Sequence, residues 1–167
     1  MDILIICAGT GELNPELSYQ LEEPTLLTNV IGFTNIADWG FRYFEQQKSG
    51  HLVTISSVGG TRGSGIAPAY NASKAYQINY MEGLRQKATK SPYSIYTTDI
   101  RPGFVATPLL KDDKYPLLMN VSAVAAHIIN ALNKKKRTVI IDRRYQVLVF
   151  FWRLIPKWLW VKLPVKN

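Results

Sequence analysis

One cysteine and two histidines among 167 residues leave little room for disulfide or metal chemistry. Cys7 alone cannot form an internal disulfide framework, which fits a reducing compartment. On an apolar strand it reads as a small core residue. His51 and His127 have no cysteine, histidine or acidic partners at ligand spacing, so no metal is expected. Long apolar runs are missing as well. The tail's longest uncharged stretch is eight residues, well short of the roughly 20 that span a bilayer. An acidic residue and a strand follow Met1 where a leader would carry a basic segment, so no secretory signal is expected. Absent too is any Gly-x-Gly-x-x-Gly turn after a strand. Gly9-Thr-Gly11 comes nearest, but no acidic residue ends a second strand about 20 residues further on.

What is present is an ordinary globular mixture, 47% apolar and 19% charged, in a length that suits one domain. The net charge of +8 is unevenly placed: residues 134–167 hold ten Lys/Arg and one acid, whereas residues 1–133 hold ten Lys/Arg and eleven acids. Basicity therefore belongs to the tail. Its cations are mixed with large apolar residues and no nucleic-acid motif accompanies them, so no nucleic-acid partner is expected.

Apolar runs at 3–7, 51–57, 93–100 and 138–141 read as strands. Between them, helical spacing marks 26–47 (Val30, Phe33, Ile36, Ala37, Phe41, Phe44), 68–88 and 122–133, the last with Ser122 as a plausible cap. Residues 9–24 read as a polar loop, and 102–116 as another. Alternating strands and helices predict a parallel α/β sheet of about four strands.

Tyr70-Asn-Ala-Ser-Lys74 stands out chemically, thirteen residues beyond Ser57. Residues four apart on a helix share a face. An ammonium can then sit beside a phenol and favour the phenolate, which otherwise forms only near pH ~10. A neutral hydroxyl at Ser57 could hold a substrate oxygen beside the phenol. Taken alone, Tyr-x-x-x-Lys is far more often a solvated helix face than a catalytic pair.

The succession Gly50-His-Leu-Val-Thr-Ile-Ser56-Ser57-Val-Gly-Gly60, Ala69-Tyr70-Asn-Ala-Ser-Lys74-Ala and Ile100-Arg-Pro-Gly-Phe-Val-Ala-Thr107-Pro108 resembles the short-chain dehydrogenase/reductase family, from residue 3 to about 141. The resemblance implies a partial Rossmann-type domain over 1–143, the C-terminal portion of the parallel sheet, with an NAD or NADP cofactor and a small alcohol or carbonyl substrate. It implies that Tyr70 is the general acid/base, that Lys74 lowers its pKa and bonds the nicotinamide ribose, and that Ser57 positions the substrate carbonyl. Asn29 is implied as support for a proton-relay water, although a lone helical Asn is usually a polar-face residue. Ala8 and Gly9, with Cys7 where the family has Asn, and the turn carrying Pro102, Gly103, Val105 and Thr107, are implied to meet the cofactor. In the family, residues 3–7 match the fourth strand. Two βα units with the pyrophosphate turn would precede it, about 70–80 residues at about thirty per unit. A strand so placed would expose an apolar edge, a site for aggregation or swapping.

The segment 144–167 is the second distinctive feature, an apolar-basic helical tail rich in Trp and Phe. Two readings stay open: peripheral contact with a membrane interface through 145–165, or a tail folded over the body with its cations in water. The resemblance implies NAD(P)-dependent interconversion of an alcohol and a ketone or aldehyde by a cytoplasmic homo-oligomer, with a lipophilic substrate and membrane association as further open expectations. Its rival is a truncated, inactive chain serving as a dimerising or membrane-associated module.

Overall fold

In a computed structural model that describes residues 1–110 and 114–163, four strands form one parallel sheet in sequence order. They are β1 (Ile3–Ile6), β2 (Ser49–Ile55), β3 (Ser94–Arg101) and β4 (Thr138–Ile140). Registers such as Ile5↔Val53, Val53↔Thr98 and Ile100↔Val139 align them. Parallel neighbours need crossovers. These are supplied by α1 (Tyr19–Leu26) running through a π-helical segment (Leu27–Gly32) into α2 (Phe33–Gln47), then by α3 (Pro68–Lys90) and α4 (Val121–Asn133).

Strand alternation divides the core in two. Leu52 faces α2 and α3, where it packs with Phe33, Phe41, Phe44 and Met81; its neighbour Val53 faces the other side with Ile100, Val124, Ile141 and Tyr145. Both sheet faces are covered, which is why the strands read as continuous apolar runs. Phe44 also fixes a backbone feature. Gly50 has φ +155°, and a Cβ there would lie 1.9 Å from the Phe44 ring, so this position requires glycine. His51 is buried in the sheet. Thr98 Oγ1 donates to the Lys136 carbonyl (2.6 Å), so its bond with His51 Nε2 (2.7 Å) has the imidazole as donor. That tautomer agrees with burial pushing the His51 pKa down.

Three expectations are corrected. The first helical crossover starts at Tyr19, not near residue 26. Pro24 made the upstream residues read as loop, yet helix continues through it and widens into the π turn just beyond. Cys7 is exposed instead of buried: β1 ends at Ile6, and Cys7 stands past it on the sheet's edge. Asn120, not Ser122, caps α4, its side chain accepting from the Ser122 N–H (2.8 Å). β1 does present an apolar edge, with Ile3 45% and Ile5 42% exposed.

The tail forms α5 (Arg143–Leu154) and a short α6 (Lys157–Trp160) after Pro156. Tyr145 and Val149 are buried against the second core. Among the described residues no helix is long and apolar enough to cross a membrane.

Candidate active site at the strand ends

Because the strands are parallel, their C-terminal ends open on one side of the sheet, the usual place for a ligand crevice. β1 there leads into Ala8 and Gly9, both exposed; β2 leads into Ser56 and Ser57; β3 leads into Pro102 and Gly103.

The two serines separate by alternation. Ser56 turns into the core, where its hydroxyl donates to Asp99, itself bound by Arg101 Nε at 2.6 Å. Ser57 caps the 3-10 turn at Val58–Thr61 by accepting from the Gly59 N–H (3.0 Å), and its hydroxyl lies beside the Tyr70 ring: a Cβ at Gly59 would be 3.3 Å from Ser57 Oγ and 3.5 Å from Tyr70 Cε1. Asn71 holds this loop to α3, donating from Nδ2 to the Gly59 carbonyl (2.7 Å) and that of Arg62 (3.2 Å).

Tyr70 and Lys74 lie one turn apart on α3, with the ammonium 5.9 Å from the phenol ring centroid. Lys74 is 4% exposed. Its Nζ donates to the Ile55 carbonyl (3.1 Å) and to Gln77 Oε1 (3.0 Å). Burial holds its pKa down to about 8, with Asp99 and then Cys7 pulling it back up. The phenol of Tyr70 stands above its ordinary value because burial outweighs the lowering by the neighbouring Ser57 hydroxyl. The ammonium's own hydrogen bonds run to Ile55 and Gln77, and desolvation is the larger influence on the phenol.

Asn29 is fully buried in the π-helical segment. Its side chain accepts from the Thr10 N–H (2.9 Å) and donates to the Thr10 carbonyl (2.7 Å) and to Ser73 Oγ (3.0 Å), stitching the Gly9–Gly11 loop to α3. Its main-chain carbonyl accepts from Gln77 Nε2 (2.9 Å). Gln77 thus links Lys74 to Asn29 directly. A Cβ at Gly9 would lie 3.2 Å from Lys74 Nζ and 3.5 Å from Asn29 Oδ1, so the missing side chain keeps the space beside the ammonium open.

Asn29, Ser57, Tyr70, Lys74 and Gly9 come together in this way. The 102–107 turn borders them: the Pro102 carbonyl accepts from the Val58 N–H (3.0 Å), next to Ser57. Val105 and Thr107 stand further along, where Val105 bridges Met119 and the Thr107 N–H bonds the Val105 carbonyl (2.7 Å). Tyr145 of α5 anchors the turn. Its hydroxyl accepts from the Phe104 N–H (3.0 Å) and donates to the Pro116 carbonyl (3.1 Å), while a Cβ at Gly103 would fall 2.0 Å from its ring.

Gln77 and Tyr145 are the residues that sequence reasoning missed. Gln77 carried a usable signal, since it lies three residues from Lys74 on the same helix face. Tyr145 carried none, because it reaches the site from a tail far along the chain.

The profile of the short chain dehydrogenase family matches residues 1–116. A sepiapterin reductase of Chlorobaculum tepidum is 30% identical over 145 residues, covering 84% of this chain and 59% of the relative. An uncharacterized oxidoreductase of Mycobacterium tuberculosis is 30% identical over 170 residues, covering 98% of this chain and 63% of that protein. The crystal structure of a short chain dehydrogenase from Burkholderia cenocepacia in complex with NADP superimposes with a TM-score of 0.82 at 19% identity, over 99% of this chain and 70% of that one. The chain spans about three-fifths of the length of these two curated relatives.

Proposed function

The chain belongs to the short-chain dehydrogenase family, and from that premise we propose that it serves an NAD(P)-dependent oxidoreductase interconverting an alcohol and a ketone or aldehyde. The observation that carries this reading is the convergence of Ser57, Tyr70 and Lys74 beside an open Gly9 at the strand ends. The residues present fit the nicotinamide end of a dinucleotide: exposed main chain at Ala8–Gly9 that lacks a side chain at Gly9, the Lys74 ammonium beside it, and the Pro102–Thr107 turn bonded to Val58 next to Ser57. Lys74, Tyr70, Ala8, Gly9, Pro102, Gly103, Val105 and Thr107 would hold that end. When bound, the nicotinamide gives hydride to, or takes it from, the substrate carbon.

The protein's own share is the proton. Ser57 holds the substrate oxygen. The Tyr70 phenol, kept protonated by burial, delivers its proton to that oxygen in reduction and recovers it in oxidation. Lys74, fixed by Ile55 and Gln77, stabilises charge that develops on the phenol. Asn29 fixes the loop and, through Gln77, the lysine. The apolar surroundings of α5 suit a lipophilic substrate. Exposed Leu27, Ile31, Ile36 and Trp39 on one helical crossover support a homo-oligomer.

Fluorescence titration with NADH and NADPH tests the reading. Saturable binding in the micromolar range, weakened at least tenfold in Tyr70→Phe/Lys74→Ala, is the expected result. Absence of binding at millimolar cofactor would remove this chain from the autonomous dehydrogenases.

A further inference from the structure

We propose that the outer face of α5 and α6 is a docking surface for an anionic lipid bilayer, which seats the strand-end cleft beside the membrane. From Val147 to Trp152 α5 is apolar on every side, an uncommon pattern for a helix on a surface. One stripe, Tyr145, Val149 and the partly buried Trp152, packs into the second core. The opposite stripe, Val147, Phe150, Phe151 and Leu154 at helical spacing, is 57–62% exposed. Trp158 (65%) and Val161 (78%) extend it beyond the Pro156 bend.

This stripe is held outward. Arg62 donates to the carbonyls of Trp152 (2.8 Å), Arg153 (3.3 Å) and Ile155 (2.5 Å), satisfying the open C-terminal end of α5. Its guanidinium also lies 5.6 Å from the Trp160 ring, and Trp160 Nε1 donates to the Gly63 carbonyl (2.9 Å). With its inner face clamped to the loop beyond Ser57, the helix cannot roll to hide its outer one.

Charge selects the occupant. Residues 143–163 carry Arg143, Arg144, Arg153, Lys157 and Lys162 and no acid. The adjoining Asp142 is already paired with Arg144 at 2.5 Å. A second copy of the chain, docked symmetrically on this face, would set like charges against one another. Aromatic and aliphatic side chains edged by Arg143, Arg153, Lys157 and Lys162 match the headgroup and acyl boundary of an anionic membrane. Tyr145, on the same helix, pins the Gly103 turn. The cleft therefore opens within about one helix length of the proposed lipid surface, roughly 18 Å for twelve residues.

Flotation of the full chain with vesicles of phosphatidylglycerol and phosphatidylcholine in equal parts, against pure phosphatidylcholine, tests this. The chain should float with the anionic vesicles at about 0.1 M salt and be released as salt screens the charges. Phe150→Ser/Phe151→Ser should cut the bound fraction at least tenfold with an unchanged thermal melt. Lys157→Gln and Lys162→Gln should each weaken binding about fivefold. Equal binding to neutral vesicles would overturn the proposal, as would flotation with neither or a double variant that floats like the parent. A concentration-dependent dimer abolished by the double variant, without flotation of the parent, would assign the face to a second copy instead.

Discussion

An ammonium buried as deeply as that of Lys74 works against its own charge, and its two hydrogen bonds offset only part of that cost. A folded-state pKa near 8 against 10.5 means that the unfolded chain binds more protons between those values. Stability should therefore rise with pH across that window for this group. Relative to Lys74→Met, the parent should gain stability between pH 8 and pH 10.5 in urea titrations; a flat difference would show that the ammonium is not depressed. The Tyr70–Lys74 spacing was legible in the sequence because four residues make one helical turn. The direction of the Tyr70 shift was not, since desolvation depends on neighbours brought in from other elements. Spacing picked Ser57 over Ser56; in the fold the Ser56 hydroxyl is taken up by Asp99, while that of Ser57 lies beside the Tyr70 ring.

At the scale of the element, β2, β3, α3 and α4 lie within two residues of where apolar periodicity put them. The stretch around Pro24 did not follow. A proline interrupts a helix locally, yet here helix persists from Tyr19 to Gln47 through a π-helical segment that carries Asn29 into the site. The polar bonds from Asn29 to Thr10 and Ser73 reach across 19 and 44 residues and leave no mark on local pattern. α5 is the other case. Its composition signalled an amphipathic tail, while its docking on the Gly103 turn combines the packing of the Tyr145 ring with two hydrogen bonds of its hydroxyl. Tyr145→Phe, which strands the Phe104 N–H and the Pro116 carbonyl, should cost about 1–3 kcal/mol. Chemical denaturation measures that cost, and limited proteolysis should show faster cutting near 102–110. No change in either would mean that packing alone holds α5 in place.

Over the whole molecule, one parallel sheet between two helical layers gathers every proposed catalytic group at one set of strand ends. The same sheet leaves β1 as an edge with Ile3 and Ile5 uncovered, a template for further strand pairing. Ile3→Lys/Ile5→Lys should lower the large-assembly fraction in sedimentation velocity while leaving the melt within about 1 kcal/mol of the parent. A rise in large assemblies would point to a different aggregating surface. By itself the sequence determined the alternation of strands and helices, because burial on both sheet faces requires continuous apolar strands and amphipathic crossovers. It also singled out Ser57, Tyr70 and Lys74 as candidates, because their spacing is local or strand-to-helix. Only the tertiary structure decided that Gln77 joins Lys74 to Asn29, that Cys7 stands outside the core, and that the tail clamps one face while presenting the other. Those outcomes depend on which distant surfaces meet, and no period within a single segment encodes that meeting.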